Sequence, residues 1–253
     1  MLKAIRARLR QGHRTMKYPA GPPPELPARF RGRPTFDVAK CKAFCGGCAK
    51  VCPTGALGTD PSPSLDLGKC IFCGACEKAC PNGAVKFTRE HSMAVRDRAG
   101  LILDGSECGT GISAAMDAKL LKVFGKSLKL RQVSAGGCGA CEADTNVLNT
   151  IGWDLGRFGI SFVASPRHAD GLLITGPVTT NMRLALEKTY AAMPAPKIVI
   201  AVGSCAIAGG PYIGHKEQCN GADAVIPVDL YIPGCPPHPL TILDGLLRFV
   251  GAI

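Results

Sequence analysis

Eight of the chain's fourteen cysteines fall between Cys41 and Pro81, and no other stretch limits the fold so tightly. The segment reads CKAFCGGCAKVCP, a spacer, then CIFCGACEKACP. The second half is C-x2-C-x2-C-x3-C-P without deviation: Cys70, Cys73, Cys76, Cys80, Pro81. The first half, Cys41, Cys45, Cys48, Cys52 and Pro53, has one extra residue in its first gap. Three thiolates at two-residue intervals wrap one face of a [4Fe–4S] cube. A fourth follows after a helical step, and the proline turns the chain away. Zinc ribbons also use paired C-x2-C knuckles. Two full runs, each closed by Cys-Pro, argue against zinc.

In two-cluster bacterial ferredoxins with this spacing, the fourth cysteine of each run serves the other cluster. Cys41, Cys45, Cys48 and Cys80 are therefore assigned to one cluster, and Cys70, Cys73, Cys76 and Cys52 to the other. The extra residue between Cys41 and Cys45 leaves Cys41 the least constrained ligand, with a three-iron cluster as the alternative. Thr54-Gly55 and Asn82-Gly83 repeat the same turn chemistry after each Cys-Pro, so residues 35–90 read as an internally duplicated 2[4Fe–4S] ferredoxin-like domain of α+β type.

The rest of the chain is long enough for a second, larger core. Nothing at the N-terminus reads as a secretory signal, and no apolar run reaches membrane-spanning length. The cysteines are accordingly expected as thiolate ligands in a reducing cytoplasm. The formal charge of +11 overstates that of a loaded protein. Each oxidised cube with its four thiolates carries about −2, so three would leave about +5. No nucleic-acid motif or aromatic platform accompanies the basic balance, and nucleic acid is not expected as a partner.

Residues 1–34 are a basic N-terminal segment followed by a proline-rich strap. Leu2, Ile5 and Leu9 recur at helical spacing, with Lys3, Arg6, Arg8 and Arg10 on the other sides. That pattern suits an anionic membrane surface or an acidic partner, and equally a solvated basic terminus. Residues 91–130 form a bridge in which a helix is expected from Ser113, as N-cap, to Lys126. Cys108, before it, has no neighbour at ligand spacing and is expected to be a free thiol.

Residues 131–253 change character. LKLRQVS, SFVAS, GLLITGP, KIVIAVGSC and VDLYIPGC are short apolar runs ending at Gly, Pro, Ser or Cys. Helical patterns such as TTNMRLALEKTYAAM lie between them, and Pro237–Val250 reads as a final amphipathic helix. The alternation predicts an α/β domain with a parallel, flavodoxin-like sheet, whose ligands belong at the carboxyl ends of the strands. There the sequence puts four more cysteines: Cys138 and Cys141 after the first strand, Cys205 after KIVIAVGSC, and Cys235 after VDLYIPGC. The glycines around them (Gly136, Gly137, Gly139, Gly203, Gly234) allow backbone to approach sulfur. A third [4Fe–4S] cluster is expected here; four merely structural cysteines are the alternative. Cys219, in a polar loop, is left over as a free thiol.

GGCGACE, DLGRFGISFVASPRHADGLLITGPVT, GSCAIAGG and VDLYIPGCPP together resemble the small-subunit family shared by membrane-bound [NiFe] hydrogenases and complex I. In particular they resemble the small subunit of group 4, formate hydrogenlyase-type enzymes. KYP, FRGRP and LGKCIFCGACEKACP resemble the two-cluster ferredoxin subunit of the same complexes, so the chain looks like a fusion of two subunits. Within the superfamily, complex I subunits carry adjacent cysteines where this chain has Cys138-x2-Cys141, the hydrogenase-type spacing. The resemblance implies an electron-transfer subunit whose strand-end cluster lies near an active site on a separate large subunit, either [NiFe]-hydrogenase-like or complex I 49 kDa-like. Membrane-arm subunits, and further iron–sulfur or formate dehydrogenase subunits, are the other implied partners. The implied location is the cytoplasmic face of the membrane.

Glu142 matches an acidic family position. It is a candidate proton relay if burial raises its pKa, or a carboxylate stabilised by a helix N-terminus. Arg167 and His168, in SPRHAD, match a motif near the subunit interface; His168 also reads as a structural histidine. Two other functions stay open: a nickel-free, complex I-like or quinone-linked oxidoreductase subunit, and a zinc-stabilised adaptor without catalysis.

Overall fold

The computed structural model describes residues 2–12, 14–41, 46–58, 63–104, 116–124 and 127–253. Cys45, Cys108 and Ser113 lie outside the described residues. Helix α1 (Leu2–Gln11) leaves Leu2, Ile5 and Leu9 exposed. The strap after it carries too many prolines to continue a helix. It lies along the C-terminal half: Met16 N–H donates to the Gly152 carbonyl at 2.9 Å. Arg157 donates to the carbonyls of Met16 and Tyr18, each at 2.7 Å.

The cysteine-rich segment folds into very short elements: β1 (Pro34–Phe36), α2 (Gly47–Lys50), β2 (Leu57–Gly58), β3 (Ser64–Asp66), α3 (Ala75–Ala79) and β4 (Val85–Phe87). β1 pairs antiparallel with β4. β2 and β3 pair antiparallel, and β5 (Ile102–Leu103) adds to β3 from what the sequence reads as the bridge. The duplication is visible in the backbone. Gly55 and Gly83 take matching left-handed φ values of 60° and 61°. In both halves the amide four residues after the last cysteine donates to its sulfur: Ala56 to Cys52 and Ala84 to Cys80, each at 3.2 Å. Turns of this kind need a residue without a side chain at positive φ, which the repeated glycine supplies.

Of the expected bridge helix the described part is α4 (Ala118–Phe124), and Met116 and Asp117 before it are not helical. The cause is tertiary. Met116 is buried and its N–H donates to the Phe249 carbonyl at 2.9 Å, which holds this stretch against the last helix.

The second half alternates as expected: β6 (Leu128–Ser134), α5 (Ala140–Val147), β7 (Ile160–Phe162), β8 (Gly171–Thr175), α6 (Thr180–Ala192), β9 (Ile198–Val202), α7 (Ser204–Ala208), β10 (Leu230–Ile232) and α8 (Pro239–Phe249). The five strands form one sheet in the order β7-β6-β8-β9-β10, every pair parallel. All residues of β8, β9 and β10 are buried. That is why these runs are continuously apolar rather than alternating.

α8 differs from its amphipathic expectation: every residue from Pro239 to Phe249 except Arg248 is buried. The strap and residues 91–95 cover the face that would otherwise meet water. Tyr18 and Ser92 donate hydroxyls to the fully buried Asp244 at 2.6 and 2.5 Å, and Arg248 adds a bond at 2.9 Å. A polar residue on that face thus finds its donors inside the protein rather than in solvent.

The two halves share a core. Leu57, Leu65, Leu67, Val85 and Leu101 of the first half pack with Ala201, Ala206, Ile207 and Tyr231 of the sheet domain. At Gly68 the approach is so close that a Cβ would come within 2.7 Å of the Ile207 side chain.

Candidate metal centres

The first centre is built from both halves of the duplication. Cys52, Cys70, Cys73 and Cys76 line one small cavity, walled by Leu57, Leu65, Ile71 and Phe87. These are the four cysteines that the spacing assigns to one cluster. Cys70 and Cys76 are buried, and Cys73 is exposed. Burial, together with the neighbouring cysteines, pushes the Cys70 thiol up to about 12 and the Cys76 thiol up to about 11. Left to themselves these groups stay protonated at neutral pH; a cationic iron core is what makes four mutually repelling thiolates affordable. The Phe72 N–H donates to the Cys70 sulfur at 3.3 Å, an interaction that favours a thiolate. The donor set therefore fits an iron–sulfur cluster.

Of the set Cys41, Cys45, Cys48 and Cys80, three are described. Cys41 closes a short 3-10 turn (Val38–Lys40), Cys48 lies on α2, and Cys80 follows α3, which packs on α2. Cys80 contrasts with the buried thiols. Burial is the largest single influence and raises it, but the backbone amides from Asn82 to Val85 together outweigh burial and hold it below the ordinary value.

The strand-end set comes from three separate segments, after β6, β9 and β10. Cys138 lies in the loop after β6, Cys141 in the first turn of α5, Cys205 in α7 after β9, and Cys235 after β10. They are near enough to act on one another. Burial, then Cys205, Glu142, Cys235 and Cys138, push the Cys141 thiol far up. Burial, then Cys235 and Cys138, take Cys205 up to about 11. Gly203 shows how tightly backbone and sulfur meet. It adopts φ 90° and ψ 155°, and a Cβ there would stand 2.6 Å from the Cys141 sulfur. Gly210 makes the same approach to Cys205 at 2.6 Å. None of the described cysteines is in a disulfide.

Other candidate residues fall elsewhere. Glu142 sits in the first turn of α5 and accepts the hydroxyls of Ser134 and Thr175, each at 2.6 Å. Burial raises its pKa, but these donors outweigh burial and hold it below the ordinary carboxylate value. The raised pKa that a proton relay requires is not what its surroundings in this chain provide. Arg167 and His168 are exposed on a short turn (Pro166–His168) packed beside α6. Cys219 is half-buried against the sheet domain's core.

Two groups escaped the sequence. Asp66 accepts from the Gly68 amide at 2.8 Å and receives both terminal nitrogens of Arg98 at 2.9 and 2.7 Å, which fixes the loop leading to Cys70. Ser204, between Gly203 and Cys205, is 1% exposed and donates its hydroxyl across the two halves to the Cys70 carbonyl at 2.5 Å. A hydroxyl wedged between a strand-end glycine and a candidate ligand was the available signal for the second. A partner 32 residues away left none for the first.

Comparison with known proteins finds matches for both halves of the chain. The profile of the NADH ubiquinone oxidoreductase 20 kDa subunit family matches residues 138–249, and that of the 4Fe–4S binding domain matches residues 63–86. Formate hydrogenlyase subunit 7 of Escherichia coli (strain K12) is 43% identical over 142 residues, covering 55% of this chain and 55% of that protein. The probable membrane-bound hydrogenase subunit mbhJ of Pyrococcus furiosus is 41% identical over 130 residues, covering 51% of this chain and 78% of that protein. The chain thus spans about half the length of the first relative and most of the second. A solved chain from the membrane-bound sulfane sulfur reductase, an archaeal respiratory membrane complex, is 37% identical over 54% of this chain and 75% of that one, with a TM-score of 0.47.

Proposed function

The chain belongs to the NADH ubiquinone oxidoreductase 20 kDa subunit family, and from that premise we propose that it is the iron–sulfur electron-transfer subunit of a membrane-associated, formate hydrogenlyase-type [NiFe] hydrogenase complex. The observation that carries the proposal is the gathering of the cysteines. One set lines a single cavity in the first half, a second gathers at the strand ends of the other half, and the two halves share one core. A [4Fe–4S] cluster, when bound, takes up and returns a single electron. Cys70, Cys73, Cys76 and Cys52 hold one such group; Cys41, Cys45, Cys48 and Cys80 a second; Cys138, Cys141, Cys205 and Cys235 a third. The strand order and the strand-end location support a flavodoxin-like domain with its site at the carboxyl rim. The first half is a 2[4Fe–4S] ferredoxin-like domain.

The chain's own residues tune these sites. Amides of Ala56, Phe72 and Ala84 donate to sulfur and stabilise negative charge. Leu57, Leu65 and Phe87 keep water from one centre. The partners are a nickel-bearing large subunit at the strand-end rim and membrane-arm subunits. Among the described residues no helix is long and apolar enough to cross a membrane. Attachment is peripheral, on the inner face, with the basic α1 towards lipid.

The test is anaerobic isolation of the complex that co-purifies with the tagged chain, followed by nickel and iron analysis and hydrogen-dependent reduction of a viologen dye. Nickel with hydrogen-dependent reduction is the expected result. An iron-rich complex without nickel that reduces quinones assigns the chain to the nickel-free branch instead.

A further inference from the structure

Ser204 lies where the two halves meet. Its hydroxyl donates to the Cys70 carbonyl at 2.5 Å and lies 3.1 Å from the Gly234 carbonyl, while its own amide donates to Gly234 at 2.8 Å. Cys70 is a candidate ligand in the first half, 134 residues away in sequence. Cys205 follows Ser204 directly, and Cys235 follows Gly234 directly. One buried side chain therefore touches or adjoins ligand loops of two different centres.

We propose that Ser204 is a positioning residue that fixes the spacing between the Cys52/Cys70/Cys73/Cys76 centre and the strand-end centre, and that its hydrogen bond to Cys70 is the bonded bridge between them. The proposal rests on the electron-transfer function proposed above. The bridge runs from the Cys70 side chain through its carbonyl to the Ser204 hydroxyl, then along one peptide bond to Cys205. One electron lost at one centre is gained at the other. Ser204 keeps its proton, and no bond is made or broken. Two features favour this placement. Ser204 and Cys70 are both buried, which shields the carbonyl from bulk solvent. The close approach of Gly68 to Ile207 holds the two halves in register around it.

The experiment compares wild type, Ser204→Ala and Ser204→Thr, each as the full chain purified anaerobically in its complex. Iron content and the individual paramagnetic signals report the clusters. Spin relaxation of one reduced centre by the other reports their coupling. Hydrogen exchange at the Phe72 and Cys73 amides reports the staple itself. Ser204→Ala is expected to keep its iron, to lose most of the mutual relaxation enhancement, and to exchange at Phe72 roughly 5- to 100-fold faster, as follows from removing the donor to a buried carbonyl. Ser204→Thr, which retains the hydroxyl, is expected to behave as wild type. Coupling and exchange in Ser204→Ala equal to wild type overturn the proposal. If Ser204→Ala does not fold, Ser204→Thr decides: wild-type coupling supports the staple, and lost coupling overturns it. A wild-type chain without iron overturns the electron-transfer function instead, and leaves exchange at Phe72 as the staple's own test.

Discussion

Replacing Gly203 by alanine isolates the fit between backbone and sulfur at the strand-end centre. Gly203 holds φ 90° and ψ 155°, a region open essentially to glycine alone. Forcing an L-residue there costs about 1–3 kcal/mol in backbone strain. A Cβ would also lie 2.6 Å from the Cys141 sulfur, so either the helix start or the thiolate must move. Gly139 is the matched control. It too has a positive φ, 84°, but a Cβ there meets nothing within 4 Å. Strain alone should lower the melting temperature of both variants by about 2–12 °C for a chain of this size. Only Gly203→Ala should also lose about four of the expected irons, because only there is a ligand displaced. The assay is iron and acid-labile sulfide per chain on anaerobically purified variants, with a thermal melt alongside. Equal, full iron in both variants would refute the claim that Cys141 binds a cluster against the Gly203 backbone.

Other expectations follow from particular contacts. Cys205→Ser should remove one paramagnetic signal and leave the two ferredoxin-type signals intact; loss of all three together would contradict separately built centres. Arg98→Ala should cost about 1–3 kcal/mol in denaturant unfolding, since it breaks a bidentate, partly buried pair with Asp66. No change in the midpoint would show the pair to be ornamental. His238 caps α8, its Nδ1 accepting from the Leu240 amide at 3.1 Å. Burial, with the charge of His91, holds His238 below its ordinary pKa. The fold thus prefers neutral imidazole, so this contribution is full above about pH 6.5 and is lost as pH falls towards the lower folded value. His238→Asn keeps a cap acceptor and should flatten the fall in melting temperature between about pH 7.5 and 5.5. An unchanged slope would assign the pH dependence to other groups.

Much of the architecture was legible because the signals were local. Each Cys-Pro run carries its own turn, and the five apolar runs in the second half mark the five strands of one parallel sheet. The strand-end rule brought Cys138, Cys141, Cys205 and Cys235 together before any coordinates did, because parallel topology alone puts those loops on one rim. What was not legible is long-range. The helix start at Ala118 is set by a bond from Met116 to Phe249, and the burial of α8 by Tyr18 and Ser92, which reach Asp244 from 226 and 152 residues away. Nothing in the local pattern of either segment encodes such partners. The carboxylate of Glu142 is a third case: its hydroxyl donors, Ser134 and Thr175, come from two neighbouring strands, so the direction of its pKa follows from the sheet and not from the motif.

The most direct test of the account is the metal content of the full chain, purified without oxygen and confirmed to be folded. Three cubes predict about twelve iron atoms and as many acid-labile sulfides per chain, with three reducible paramagnetic centres. A folded, colourless protein free of iron, or one loaded with a few zinc ions in its place, would contradict it.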